Sequence, residues 1–212
     1  MDKIRILLVD DHAIVRAGYR QLISTSNKIE VIGESETGEE GCQLYFQLKP
    51  DVLVIDLNLP KMSGLEAIRR IKQRDPAAAV LAFTMHSEQI YLKRTLEAGA
   101  NGYLTKSCDP DLLLEGVCAL AEGRQFIDPL FSNVLKGDSS DGGGGKNDLR
   151  ELSPREFDIY RLLIDGQANR EIAESLSLSQ KTVANYATQI KAKLGVKTIA
   201  EMTRKALLFD RP

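Results

Sequence analysis

The chain has 212 residues, 43% of them hydrophobic and 27% charged, a length for two modest domains that can each bury a core. No uncharged apolar run reaches the roughly 18 residues that a bilayer-crossing helix needs, which excludes a membrane-spanning protein. The net charge of −2 divides unevenly, with 17 basic and 22 acidic side chains in residues 1–149 against 11 and 8 in residues 150–212, so an acidic front precedes a mildly basic back suited to a polyanion.

The first apolar run, Ile4–Val9, is closed at once by Asp10-Asp11. That ending is too acidic for a signal peptide, and a cytoplasmic protein is expected. Further runs follow at Ile29–Gly33, Val52–Ile55, Val80–Thr84 and Gly102–Leu104, separated by amphipathic stretches near 13–24, 38–48, 65–74, 88–98 and 110–122. Five β-α alternations predict an α/β doubly wound, five-stranded parallel sheet. The uninterrupted apolar Ile6-Leu7-Leu8-Val9 and Val52-Leu53-Val54-Ile55 suit strands covered on both faces. Gly137–Asp148 holds no apolar residue and reads as a flexible linker. Cys42, Cys108 and Cys118 are scattered, and with only His12 and His86 beside them they argue against a disulfide framework or structural zinc.

Beyond the linker only helical periodicity remains. Ser153-Pro154-Arg155-Glu156 is a helix start, with Ser153 as N-cap, Pro154 in the first turn and Glu156 three residues past the cap. Gly166 ends that helix, Glu171–Leu176 forms a second, and Ser179 opens a third that Gly195 stops. With the tight turn Ser177-Leu178-Ser179 the last two form a helix-turn-helix. Lys181, Thr182, Asn185, Gln189 and Lys193 line one polar face of the third helix. Val183, Tyr186 or Ala187, Ile190 and Leu194 face inward, and such a polar face can enter a major groove. A solvated helix face would show the same spacing.

In an open α/β sheet ligands bind beyond the carboxyl ends of the strands. Those ends carry Asp10-Asp11, Asp56, Thr84 and Thr105-Lys106. Three carboxylates in one crevice repel one another, so the grouping makes chemical sense around a divalent cation, Mg2+ first. A carboxylate there can attack phosphorus, while an ammonium and a hydroxyl stabilise the equatorial oxygens.

The residues Leu7–His12, Val54–Pro60, Ser63–Glu66, Ala98–Leu104 and Thr105-Lys106 together resemble the receiver domain of two-component response regulators. That resemblance makes Asp56 the phosphoacceptor. It gives Mg2+ the ligands Asp10, Asp11, Asp56 and the Asn58 backbone carbonyl, and it gives Thr84 and Lys106 the phosphoryl group, with Thr84 and Tyr103 as the switch pair. Ser107 stands where many receivers carry proline. His12, at the mouth of the first helix, reads as a surface or supporting residue rather than a phosphoryl carrier.

Leu152–Glu156, Gly166, Asn169–Ala173, Lys181-Thr182-Val183 and Lys193–Val196 resemble the four-helix LuxR-type DNA-binding domain, and the pair of domains resembles the NarL/FixJ family. The implied organisation is a receiver at 1–123, a connecting helix and Gly-rich linker at 124–149, and a helix-turn-helix domain at 150–212. The implied function is a phosphorylation-switched transcriptional regulator, not an enzyme. Its expected partners are a sensor histidine kinase, double-stranded DNA contacted through Lys181, Thr182, Val183, Asn185, Gln189 and Lys193, and a second copy of the chain on phosphorylation or DNA binding. Ala184 and Tyr186 stand where the family often has a basic residue and a histidine, so the DNA sequence preference is left open. In the unphosphorylated chain the receiver is expected to dock on the third helix. The competing reading is a phosphorylation-independent regulator, or a protein- or RNA-binding module, on the same scaffold. A phosphotransferase of this architecture would need a cap insertion that the chain lacks.

Overall fold

In a computed structural model describing residues 3–132, 149, 151–176 and 178–209, the first half alternates strand and helix: β1 (Ile4–Val9), α1 (Ala13–Ser24), β2 (Ile29–Ser35), α2 (Gly38–Leu48), β3 (Val52–Ile55), α3 (Gly64–Arg74), β4 (Val80–Thr84), α4 (Gln89–Glu97), β5 (Gly102–Thr105), α5 (Pro110–Ala121) and β6 (Phe126–Ile127). All pairings are parallel, in the order β2-β1-β3-β4-β5-β6. β1 therefore lies between β2 and β3, and the connections diverge at its carboxyl end, the switch point at which such sheets open a crevice.

Strand alternation explains why both faces are covered. Ile6, Leu8, Val52, Val54, Leu81, Phe83 and Leu104 share one face with Ile23 of α1 and Leu113, Val117 and Leu120 of α5. Leu7, Val9, Leu53 and Ile55 point the other way and are equally buried. Gly41 of α2 lies so close to Val9 that a Cβ there would come within 2.9 Å of its methyl. Capping sets where helices begin: the Thr37 and Ser63 hydroxyls accept from the N–H groups of Glu40 and Glu66, and Asp109 caps α5 ahead of Pro110.

The expected five-stranded sheet gains a sixth strand. β6 pairs with β5 (Gly102 opposite Phe126, Tyr103 opposite Ile127), and a 3-10 turn follows at Pro129–Phe131. Residues 126–131, expected in the connector, thus belong to the sheet unit, which spans Met1–Asp138. The linker Gly137–Asp148 lies outside the described residues.

The second unit, Ser139–Pro212, contains α6 (Pro154–Ile164), α7 (Asn169–Ser175), α8 (Gln180–Leu194) and α9 (Ile199–Phe209). Its core joins Phe157, Ile159, Tyr160 and Leu163 of α6 to Ile172 of α7, Val183, Ala187, Ile190 and Leu194 of α8, and Met202 of α9. α6 starts with a full capping box: Glu156 N–H donates to Ser153 Oγ (3.2 Å) and Ser153 N–H to Glu156 Oε2 (2.6 Å). α7 has half of one. Ala168 offers no side-chain acceptor, while its N–H donates to Glu171 Oε2 at 2.8 Å. Gly195, at φ +64°, closes α8 in the left-handed region that glycine enters without strain. Among the described residues no helix is long and apolar enough to cross a membrane.

Candidate phosphoacceptor site and nucleic-acid interface

The sheet order brings the ends of β1, β3, β4 and β5 together, and the predicted polar residues arrive with them. Asp10 and Asp56 are only 2% and 3% exposed. Lys106 Nζ lies 2.6 Å from Oδ2 of each, itself almost wholly buried. Burial works against the ammonium, but Asp56 and Asp10 outweigh it and raise the Lys106 pKa. Asp11 is more open, and burial together with Asp56 and Asp10 pushes its pKa up, with His12 opposing.

Backbone contacts hold the carboxylates. Asp10 Oδ1 accepts from His12 N–H (2.8 Å) and Asp56 Oδ1 from Asn58 N–H (3.2 Å), while Asp56 N–H donates to Val9 across the strands (2.9 Å). A Cβ on Gly64 would overlap the Asp56 carbonyl oxygen and stand 2.7 Å from Leu57 Cα. The loop after β3 therefore closes over a residue without a side chain. Asp10, Asp11, His12 and Asp56 place ligand atoms within 4.8 Å of one another, and the three carboxylates among them offer hard oxygens able to hold a divalent cation.

Thr84 is fully buried, its carbonyl bonded by Lys106 N–H (2.7 Å). Its hydroxyl faces His86 N–H at 3.5 Å. Tyr103 lies inward and fully buried, and its hydroxyl donates to the His86 carbonyl (2.8 Å); burial raises its phenol pKa. No peptide bond among the described residues is cis, so the Lys106–Ser107 bond is trans. The three thiols are free.

Several contributors escape a reading of the sequence. His86 Nε2 lies 2.8 Å from Asn58 Oδ1 while its ring stacks on Tyr91, 3.6 Å between centroids. The Arg16 guanidinium, held by Glu34 and Glu36, donates to the Asp10 carbonyl. Asp128 binds Thr105, the residue before Lys106. For Asp128 a signal existed: it closes an apolar pair just as Asp10 and Asp56 close their strands.

On α8, Lys181, Asn185 and Gln189 are exposed. Thr182 is half-buried, its hydroxyl 2.8 Å from Ser179 Oγ at the N-cap. Of the expected DNA-facing set, Val183 does not fit, and Lys193 is tied to its own unit. Val183 is 0% exposed and packs in the core, so it presents no methyl to a base. Lys193 is exposed but gives its ammonium to Glu156 Oε2 (2.6 Å) and the Glu151 carbonyl (3.2 Å). Ala187 rather than Tyr186 fills the inward position. Ser177, in the turn before α8, lies outside the described residues.

Comparison with known proteins agrees with both halves. Residues 6–117 match the response regulator receiver domain family, and residues 150–206 match the family of bacterial regulatory proteins of the luxR type. The chain is similar to the transcriptional regulatory protein DegU of Brevibacillus brevis (35% identity over 210 residues, 92% of this chain and 89% of the relative). It is also similar to the nitrate/nitrite response regulator protein NarL of Escherichia coli K12 (32% over 197 residues, 92% and 91%). Among solved structures it is similar to RcsB of Salmonella enterica serovar Typhimurium bound to promoter P1flhDC in the presence of phosphomimetic BeF3− (26% identity, TM-score 0.67, 96% of this chain and 98% of that one). A receiver followed by a LuxR-type domain defines a DNA-binding response regulator, a transcription regulator of a two-component system rather than an enzyme. The chain belongs to the NarL/FixJ family of these regulators.

Proposed function

We propose that this regulator is switched by phosphorylation of Asp56. The observation that carries the reading is the pair of 2.6 Å contacts from Lys106 Nζ to Asp56 and Asp10 at the sheet's switch point. One Asp56 oxygen attacks the donor's phosphorus, and the donor's leaving group departs from the opposite side. Lys106 and the Thr84 hydroxyl then bind phosphoryl oxygens, and Lys106 leaves its bond to Asp56 for the more highly charged product. Three carboxylates against one ammonium leave excess negative charge, and their hard oxygens fit Mg2+. Asp10, Asp11, Asp56 and the Asn58 carbonyl would hold it, and it would neutralise charge developing on the phosphoryl oxygens.

The phosphoryl donor is a sensor histidine kinase and the setting is the cytoplasm. Residues 1–123, extended by the β6 segment, are the receiving unit, residues up to 149 the connector, and 150–212 the DNA-binding unit. Lys181, Thr182, Asn185 and Gln189 face DNA, and the chain binds paired half-sites as a homodimer, each copy raising the effective concentration of the other. The test of the acceptor is intact mass after incubation with acetyl phosphate and Mg2+. Wild type should gain one phosphoryl group and Asp56→Asn none; equal labelling of Asp56→Asn would overturn the assignment.

A further inference from the structure

The segment that leaves the first unit is built into the back of the site. β6 runs beside β5, and two glycines make its seat: a Cβ on Gly102 would stand 2.9 Å from the Phe126 carbonyl oxygen, and one on Gly116 3.0 Å from the Phe126 ring. Asp128, 5% exposed, follows directly. Its N–H donates to the Tyr103 carbonyl (2.8 Å). Its Oδ2 accepts from both Thr105 N–H (3.0 Å) and Thr105 Oγ1 (2.6 Å), and its Oδ1 accepts from Leu130 N–H (3.0 Å). Phe131, also buried, sets its ring edge-on to Tyr103, 5.5 Å between centroids. Ser107 Oγ adds a bond to Thr105 Oγ1 (3.2 Å).

These contacts fall on both sides of Lys106 and on the aromatic residue of the switch pair. From them we infer that Asp128 is a positioning residue: it fixes the outgoing segment 126–131 to β5, so that a shift of Lys106 or Tyr103 moves that segment. A buried carboxylate that accepts three hydrogen bonds, beside a backbone bond to Tyr103, resists small continuous displacement, which favours a switch between arrangements over gradual drift. Residues 126–131 leave β5's side as strand β6 and the 3-10 turn after it, ahead of the chain that leads to the second unit. The inference rests on Asp56 as the acceptor.

The test uses the full chain. Amide hydrogen exchange of residues 126–131 is measured with Mg2+ alone and with Mg2+ and acetyl phosphate. Affinity for a duplex selected from random sequence by the wild-type chain is measured at known phosphoryl occupancy. In wild type, loading Asp56 should change exchange of the Asp128, Leu130 and Phe131 amides at least about threefold. In Asp128→Ala these amides should exchange at least about tenfold faster in both states, and the affinity gain per phosphoryl group should fall toward one. Thr105→Val, which removes one of the two Thr105 donors, should give a partial loss that is not additive with Asp128→Ala. Wild-type uptake without any change in exchange overturns the coupling alone; no uptake overturns the acceptor assignment and the coupling with it. The wild-type comparison needs no variant, so it decides the matter even if Asp128→Ala fails to fold.

Discussion

Glu156 and Lys193, 37 residues apart in sequence, are joined by a 2.6 Å ion pair that ties the first turn of α6 to the last turn of α8. The Glu156 carboxylate is almost wholly buried and already serves the capping box. Burial alone would raise its pKa, but the Lys193 ammonium and the Ser153 N–H outweigh burial and lower it.

Lys193→Ala removes that partner from a buried carboxylate, and with solvent reaching the exposed lysine position the second unit should lose about 1–2 kcal/mol, read by chemical denaturation. Because the folded-state pKa of Glu156 lies below its unfolded value, its contribution is complete above the ordinary glutamate pKa of about 4.3. It is lost as pH falls from there through the folded value. Wild-type stability should therefore drop in that acid window and Lys193→Ala should lose much of the drop. Parallel curves for the two proteins would show that the pair contributes nothing.

Both Lys181 and Lys193 are exposed, but Lys193 is ion-paired to Glu156, so the two lysines should behave differently on DNA. Lys181→Ala should lower the slope of log affinity against log salt by about 0.9, the loss of one phosphate contact. Asn185→Ala and Gln189→Ala should act at particular base pairs. Lys193→Ala should leave the salt slope within error once corrected for the folded fraction. Equal slope changes for both lysines would return Lys193 to the phosphate contacts.

Val183→Ala should cost about 2 kcal/mol of stability through lost burial and a cavity, with unchanged discrimination among DNA sequences. A relaxed preference at one thymine position without loss of stability would contradict its place in the core.

Gly64→Ala should cost about 1–3 kcal/mol, since the new methyl meets the Asp56 carbonyl and Leu57 backbone rather than a side chain that can turn aside. It should also slow phosphoryl uptake, because the backbone that must yield is that of the acceptor. Full stability with normal uptake would show that the loop after β3 opens without affecting Asp56.

Lys106→Ala leaves two buried carboxylates without their shared cation and should cost about 3–5 kcal/mol in the absence of divalent metal. Millimolar Mg2+ should then raise Tm more for Lys106→Ala than for wild type, because the ion replaces the missing positive charge. Identical Mg2+ shifts would place the ion elsewhere.

Much of this architecture is legible in the chain because its signals are local. Ile6–Val9 and Val52–Ile55 are apolar without alternation, as strands covered on both faces must be, and Asp10, Asp56, Thr84 and Lys106 stand at strand ends that parallel topology gathers. The capping box at Ser153 is likewise written in four residues. β6 is not legible, because two residues carry no period and its seat is made by Gly102 and Gly116 on other elements. Lys193 reads as one more polar step on α8, since its partner Glu156 lies in a helix start that spacing along α8 cannot reveal. Val183 interrupts a polar run, and only the packing of α8 against its neighbours turns it inward.

The most direct measurement is the affinity of the full chain for its selected duplex at fixed salt, with and without acetyl phosphate and Mg2+, for wild type and Asp56→Asn. Phosphorylation should tighten wild-type binding by at least about tenfold and leave Asp56→Asn unchanged. Wild-type binding that is indifferent to a phosphoryl group on Asp56, or an equal gain in Asp56→Asn, would contradict the phosphorylation switch.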